Sequence, residues 1–157
     1  FGTKEELLMA ALGPKIPPFI EIFEAGPTPA AFEPQLRSLL TSIGDFFWEM
    51  IPCISVLRSA GINAFDQMLH HEDPPPIRTH KSLIGWLTRA RALGHIEIED
   101  IDIVATMLLG SLQLRPFLDH LDKSYLTDTT RARYLLGLER NLLQLLRPSQ
   151  APSTEIK

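Results

Sequence analysis

Cysteine, basic clusters and strand-like alternation are nearly absent from this chain, and each absence excludes something. A single cysteine, Cys53, leaves no intrachain disulfide and fits a reducing compartment, the cytoplasm. Lysine and arginine are scattered through a chain of net charge −4. No basic stripe tracks phosphates, so the residues present are not expected to hold nucleic acid. No stretch of ~18 uninterrupted apolar residues and no signal peptide occur, which argues against a membrane partner. Catalytic motifs are missing too. There is no glycine-rich phosphate loop, no G-x-S-x-G and no H-E-x-x-H, so neither a catalytic residue nor a cofactor is expected. Metal ligation is unexpected as well, because no C-x-x-C or H-x-x-x-H spacing exists. His70 and His71 are adjacent and diverge by roughly 100° on a helix. His120, flanked by Asp119 and Asp122, reads as part of a solvated face.

What is present is helical spacing. A chain of 157 residues suits one domain and buries about 70% of its extended surface on folding. Apolar residues at three- and four-residue intervals predict helices over 4–12, 16–25, 31–59, 62–71, 77–93, 100–122 and 128–147. The thirteen prolines cluster between these segments. Pro74-Pro75-Pro76 reads as a stiff spacer. Pro52 and Pro116 are exceptions inside helical patterns, where a proline removes one hydrogen bond and kinks rather than ends a well-packed helix. Gly13-Pro14, Ser59-Ala60-Gly61 and Gly94-His95-Ile96 mark breaks, and Thr127 or Asp128 is placed to cap the last helix. Pro148 ends it, and residues 148–157 read as a disordered tail.

The last two helices are apolar on two sides. Ile101, Val104, Ala105, Leu108 and Leu112 line one face of the first of them, and Ile103, Met107, Leu114, Leu118 and Leu121 line another. The final helix carries Tyr134, Leu135, Leu136, Leu138, Leu142, Leu143, Leu145 and Leu146. A helix with two apolar faces needs two partners, and a second copy of the chain can supply one. Gly110 and Gly137 each cost a helix about 1 kcal/mol relative to alanine, a cost that close helix approach offsets. The bland alternative makes both helices central in a monomeric bundle. The dimer is the stronger reading, with Leu112, Leu118, Leu121, Tyr134, Leu138 and Leu142 as interface residues.

The middle helices hold more large, soft apolar side chains than a minimal core needs. Walls of aromatic residues and methionine with a few polar groups suit a small-molecule pocket. Phe47, Met50, Ile54, Met68, Trp86 and Met107 are the candidate lining, and Gln113 the polar residue that orients the ligand. Core packing is the competing assignment for each. Arg131 and Arg133 oppose the dipole at the start of the last helix. They fit an interface, an acidic ligand or a solvated face.

At the start of the chain, Thr3-Lys4-Glu5-Glu6 forms a capping box. Phe1, Thr3, Lys4 and Leu7 resemble the junction between the DNA-binding domain and the first effector-domain helix of TetR-family transcriptional regulators. The break at Gly94-His95-Ile96, the Asp100-led helix and the Thr127-Asp128 start extend the resemblance. Asp100-Ile101 departs from the Asp-Pro often seen at that start. The resemblance implies an all-α domain, an antiparallel helical bundle whose last two helices form a four-helix dimer interface. It implies that residues 1–3 are a remnant of a helix-turn-helix domain, with Lys4 a remnant phosphate contact, and that residues 4–147 bind an effector and dimerise. Operator DNA is then a partner only through the missing N-terminal domain. The implied protein is a cytoplasmic homodimeric repressor released by a small apolar or aromatic molecule. Two rivals stand beside it: a dimeric helical interaction module without a ligand, and a small helical enzyme, which needs polar groups converging in a cavity.

Overall fold

The computed structural model describes residues 17–63, 72–125 and 128–146. These residues form five helices and no strand: α1 (Phe19–Ala25), α2 (Phe32–Ser59), α3 (Pro75–Ala92), α4 (Ile101–Leu121) and α5 (Arg131–Leu146). The fold is all-helical, as the spacing predicts. The expected helix over 4–12, most of the expected helix over 62–71 and the tail over 148–157 lie outside the described residues. So do Lys4 and Met68.

Helix boundaries follow local chemistry, and several differ from the expected ones. α1 begins at Phe19 rather than at residue 16. The Ile20 N–H makes the first bond, to the Pro17 carbonyl at 2.9 Å. α1 ends at Gly26, whose φ of +72° suits a residue without a side chain. A Cβ there would also lie 2.8 Å from Arg89 Nε. That closeness lets the Arg89 guanidinium donate to the Phe23 carbonyl at the negative end of α1.

α2 has no capping side chain at Ala31. Gln35 folds back instead. Its Oε1 accepts the Thr28 N–H at 2.7 Å, and its Nε2 donates to the carbonyls of Ala30 and Ala31 at 3.0 and 3.1 Å. α2 then runs through Pro52 without stopping.

The proline triplet is not a spacer. Pro75 and Pro76 occupy the first turn of α3, where backbone N–H groups have no helical acceptor anyway. α3 closes at Gly94, with φ of +75°. The His95 N–H reaches back to the Ala90 carbonyl at 3.0 Å and the Gly94 N–H to that of Arg91 at 2.9 Å, the paired closure of a Schellman motif. α5 starts at Arg131, later than residue 128. Thr130 supplies the cap, its Oγ1 accepting the Arg133 N–H at 3.3 Å.

α2 is the spine of the packing. α1, α4 and α5 all rest on it, and α4 also packs against α3. Leu36, Leu39, Leu40 and Ile43 of α2 meet Leu83, Trp86 and Leu87 of α3 and Leu108 and Leu112 of α4 in one core. Gly44 lets α5 in close: a Cβ there would stand 3.1 Å from Leu135 Cδ2. Beside it lies a polar clamp between α2 and α5. The buried Glu139 carboxylate accepts from Arg37 Nε at 2.9 and 3.1 Å and from Arg37 NH2 at 2.8 Å. This two-pronged bond raises the pKa of the Arg37 guanidinium above its ordinary value.

By length and composition alone, α2 and α4 are each apolar enough to cross a membrane. About a third of the most apolar window of α2 and 39% of that of α4 are buried inside the protein.

Candidate functional site

Three regions carry the functional argument: the aromatic interior, the outer face of α4, and a groove where α2, α4 and the start of α5 meet.

In the interior the structure brings Phe47, Met50 and Trp86 to one cluster. Phe47 and Trp86 are buried in the core, and the half-buried Met50 packs against that core. Ile54 is half-buried on the next turn of α2. Met107 and Gln113 do not join this group; both are exposed on α4. Each directly neighbours a fully buried leucine, Leu108 and Leu112, and one helical step turns a side chain by about 100°. Trp86 has a special property. Its indole Nε1 is buried and finds no acceptor among the described residues. Buried donors are nearly always paired, so this one is a point of unspent hydrogen-bonding capacity.

The outer face of α4 is apolar along its length. Ile103, Met107, Leu114, Phe117 and Leu121 are each between 46% and 64% exposed. At about 100° per residue they fall within one narrow stripe that also contains Gly110. No heavy atom of the described chain would approach a Cβ at Gly110 within 4 Å. Of the expected interface residues, Leu121 lies on this stripe, while Leu118, Tyr134 and Leu138 are half-buried. Leu112 and Leu142 are taken up by the chain's own core. α5 differs from α4. Its exposed Leu136 and Leu145 are nine positions apart, about 180° around the axis, so they make no second stripe.

The groove has a volume of about 390 Å³ and is walled by Trp48 and Pro52 of α2 and by Pro116 of α4. Both in-helix prolines therefore face one space. Cationic side chains rim it. Arg115 is buried, donates from Nε to Asp119 Oδ1 at 3.0 Å and from NH2 to the Thr129 carbonyl at 2.7 Å, and lies 5.4 Å from the Tyr134 ring centre. Arg131 pairs with Asp45 and sits over the Trp48 ring at 4.9 Å. Burial there lowers the Arg131 pKa from its ordinary value. Lys123 and His120 complete the rim, with neither an ion pair nor a hydrogen bond among the described residues. From the sequence, the prolines lining it read as kinks, Arg131 has an open role, and His120 with Asp119 reads as a solvated face.

Tyr134 links the groove to α4. Its hydroxyl donates to the Ser111 carbonyl at 2.7 Å. Burial pushes the phenol pKa above the ordinary tyrosine value, against the pull of the Arg115 charge. Below about pH 9 the phenol is neutral in both folded and unfolded chains, so it contributes no pH dependence there. Above that the unfolded chain ionises first, and stability falls as pH rises. The urea midpoint of the natural chain is therefore expected to fall between about pH 9.5 and 11 more steeply than that of Tyr134→Phe. Equal slopes would remove Tyr134 as the cause.

Among the described residues, no three His, Cys, Asp or Glu side chains are grouped to hold a metal ion. His80 meets the Thr106 hydroxyl at 2.9 Å through Nε2. The chain matches no family model, no curated protein and no solved structure.

Proposed function

We propose that this chain is the ligand-sensing and dimerisation domain of a TetR-like transcriptional regulator, a cytoplasmic repressor released from DNA by a small, largely apolar molecule. The observation that carries the reading is the exposed apolar stripe on α4, which has no partner among the described residues. A soluble monomer rarely leaves so long an apolar strip uncovered. From Ile103 to Leu121 it runs about 27 Å at ~1.5 Å per residue. No charged residue interrupts it, and Gly110 at its middle leaves room for close approach. A stripe of this kind is self-complementary across a two-fold axis, which makes a second copy the natural occupant. In this reading α4 and α5 of two copies form an antiparallel four-helix interface.

The sensing half rests on Trp86. Its unpaired indole N–H, in the core cluster that also holds Phe47, is suited to orient a ligand by one acceptor atom. Operator DNA is held by a separate N-terminal domain. A ligand that binds one spacing of the two DNA-binding heads better than the other lowers DNA affinity by that difference.

Equilibrium sedimentation of the full chain tests the dimer. A two-fold assembly at low micromolar concentration is the expected result; a monomer at high micromolar concentration, or capture by lipid vesicles in place of self-association, sinks the proposal. A second reading, a dimeric interaction module without a ligand, is favoured by the packing of Phe47 and Trp86 into the core itself. A thermal-shift screen of apolar and aromatic metabolites separates the two. The module predicts no stabilising compound.

A further inference from the structure

We infer that the groove between α2, α4 and the start of α5 is a binding site for a small aromatic carboxylate, separate from the interior site and from the α4 stripe. Three observations combine. The space, about 390 Å³, lies within the range of small-molecule sites and accommodates a body of one or two rings. One wall is apolar and ring-shaped, built from Pro52, Pro116 and the Trp48 indole. The rim is cationic. Arg115, Lys123 and Arg131 line it against the single carboxylate of Asp119, so the lining carries three positive charges and one negative, a balance of +2 with His120 neutral. Adding Asp45, the partner of Arg131, still leaves +1, in a chain whose net charge is −4.

The charges are placed differently, and this decides which of them meet a ligand. Arg115 is buried and already bonded to Asp119 and to the Thr129 carbonyl. It holds the floor of the groove in shape. Arg131 is partly exposed and sits over the Trp48 ring. Lys123 is exposed, without an ion-pair partner among the described residues, at the groove's edge. A carboxylate whose ring lies along the prolines and Trp48 meets Lys123 and Arg131 together. A cation in the same place meets net repulsion, and a neutral isostere forgoes the charge-assisted bonds.

The arrangement also explains why two prolines are tolerated in mid-helix. Pro52 has no N–H for the Trp48 carbonyl, and Pro116 none for that of Leu112. Both helices accept that loss at one level of the structure, where the two rings wall the same groove.

The test follows the two indole N–H signals in a ¹H–¹⁵N spectrum of the full chain, assigned with Trp48→Phe. The probes are 2-naphthoate and its neutral amide. Naphthoate is expected to shift the Trp48 signal saturably and leave that of Trp86 in place. The amide is expected to bind about tenfold more weakly. Lys123→Gln, at an exposed side chain with no partner to lose, is expected to weaken naphthoate several-fold, and Arg131→Gln with it about tenfold or more. Rising salt is expected to weaken naphthoate and not the amide. The proposal is overturned if Trp48 shows no saturable shift, if acid and amide bind equally, or if Lys123→Gln leaves naphthoate affinity unchanged. None of these outcomes depends on whether the chain dimerises.

Discussion

Leu114→Glu is expected to turn the proposed dimer into a monomer while leaving the helices intact. Leu114 stands near the middle of the α4 stripe and is 56% exposed, so within one chain it touches little. A carboxylate there is solvated in the monomer, and substitutions at such sites usually stay within about 0.5 kcal/mol. Across a two-fold interface the same change acts twice. It removes two apolar contacts and brings two carboxylates into a surface that excludes water. An uncompensated buried charge costs about 3–5 kcal/mol, which is a hundredfold or more in dissociation constant. Sedimentation reads the loss of the dimer, and circular dichroism at equal protein concentration shows that helix content is kept. A Leu114→Glu protein that still sediments as a dimer places the interface elsewhere. Leu136→Glu is the matching control: with no second stripe on α5, its effect should be smaller.

The contrast between α4 and α5 shows what sequence patterning conveys and what it does not. Long helices are legible because apolar spacing near 3.6 persists over many turns. α2 and α4 therefore lie within a residue of the expected bounds. Two apolar faces are legible as composition, yet their partners are not. Leu112 and Leu121 look alike in the sequence, but one is sealed in the core and the other is 64% exposed. The difference depends on where α2 and α3 lie, which is tertiary information. Local starts fail for a different reason. Thr127, Asp128, Thr129 and Thr130 are four successive residues able to cap a helix. Among the described residues, only the Thr130 hydroxyl accepts from the first turn of α5. The proline triplet misleads because proline breaks a helix interior but fits its first turn. The groove was legible only as two misplaced prolines, an arginine of undecided role and a histidine read as part of a solvated face. Nothing in the spacing of Pro52, Pro116 and Arg131 says that three separate elements bring them to one cavity.

Trp86 is expected to give opposite answers to two truncations. The side chain is 1% exposed and among the largest fully buried ones. Trp86→Ala leaves a cavity between α2 and α3 and is expected to cost about 3–5 kcal/mol. For a domain of this size that lowers the melting temperature by roughly 10 °C or more. Trp86→Phe keeps most of the ring volume and also deletes the indole N–H. A buried donor without a partner costs about 1–3 kcal/mol, so deleting it offsets much of the lost packing. The expected net change is about 1 kcal/mol or less, read by urea denaturation followed by circular dichroism. A Trp86→Phe protein destabilised as severely as the alanine variant means that the N–H is satisfied in solution, for instance by a buried water. The pair then bears on sensing. A compound found by thermal shift that accepts a hydrogen bond from the indole should stabilise the natural chain and lose most of that effect in Trp86→Phe, whose own stability is nearly unchanged. A compound that stabilises both proteins equally binds elsewhere, and the groove beside Trp48 is the first place to look for it.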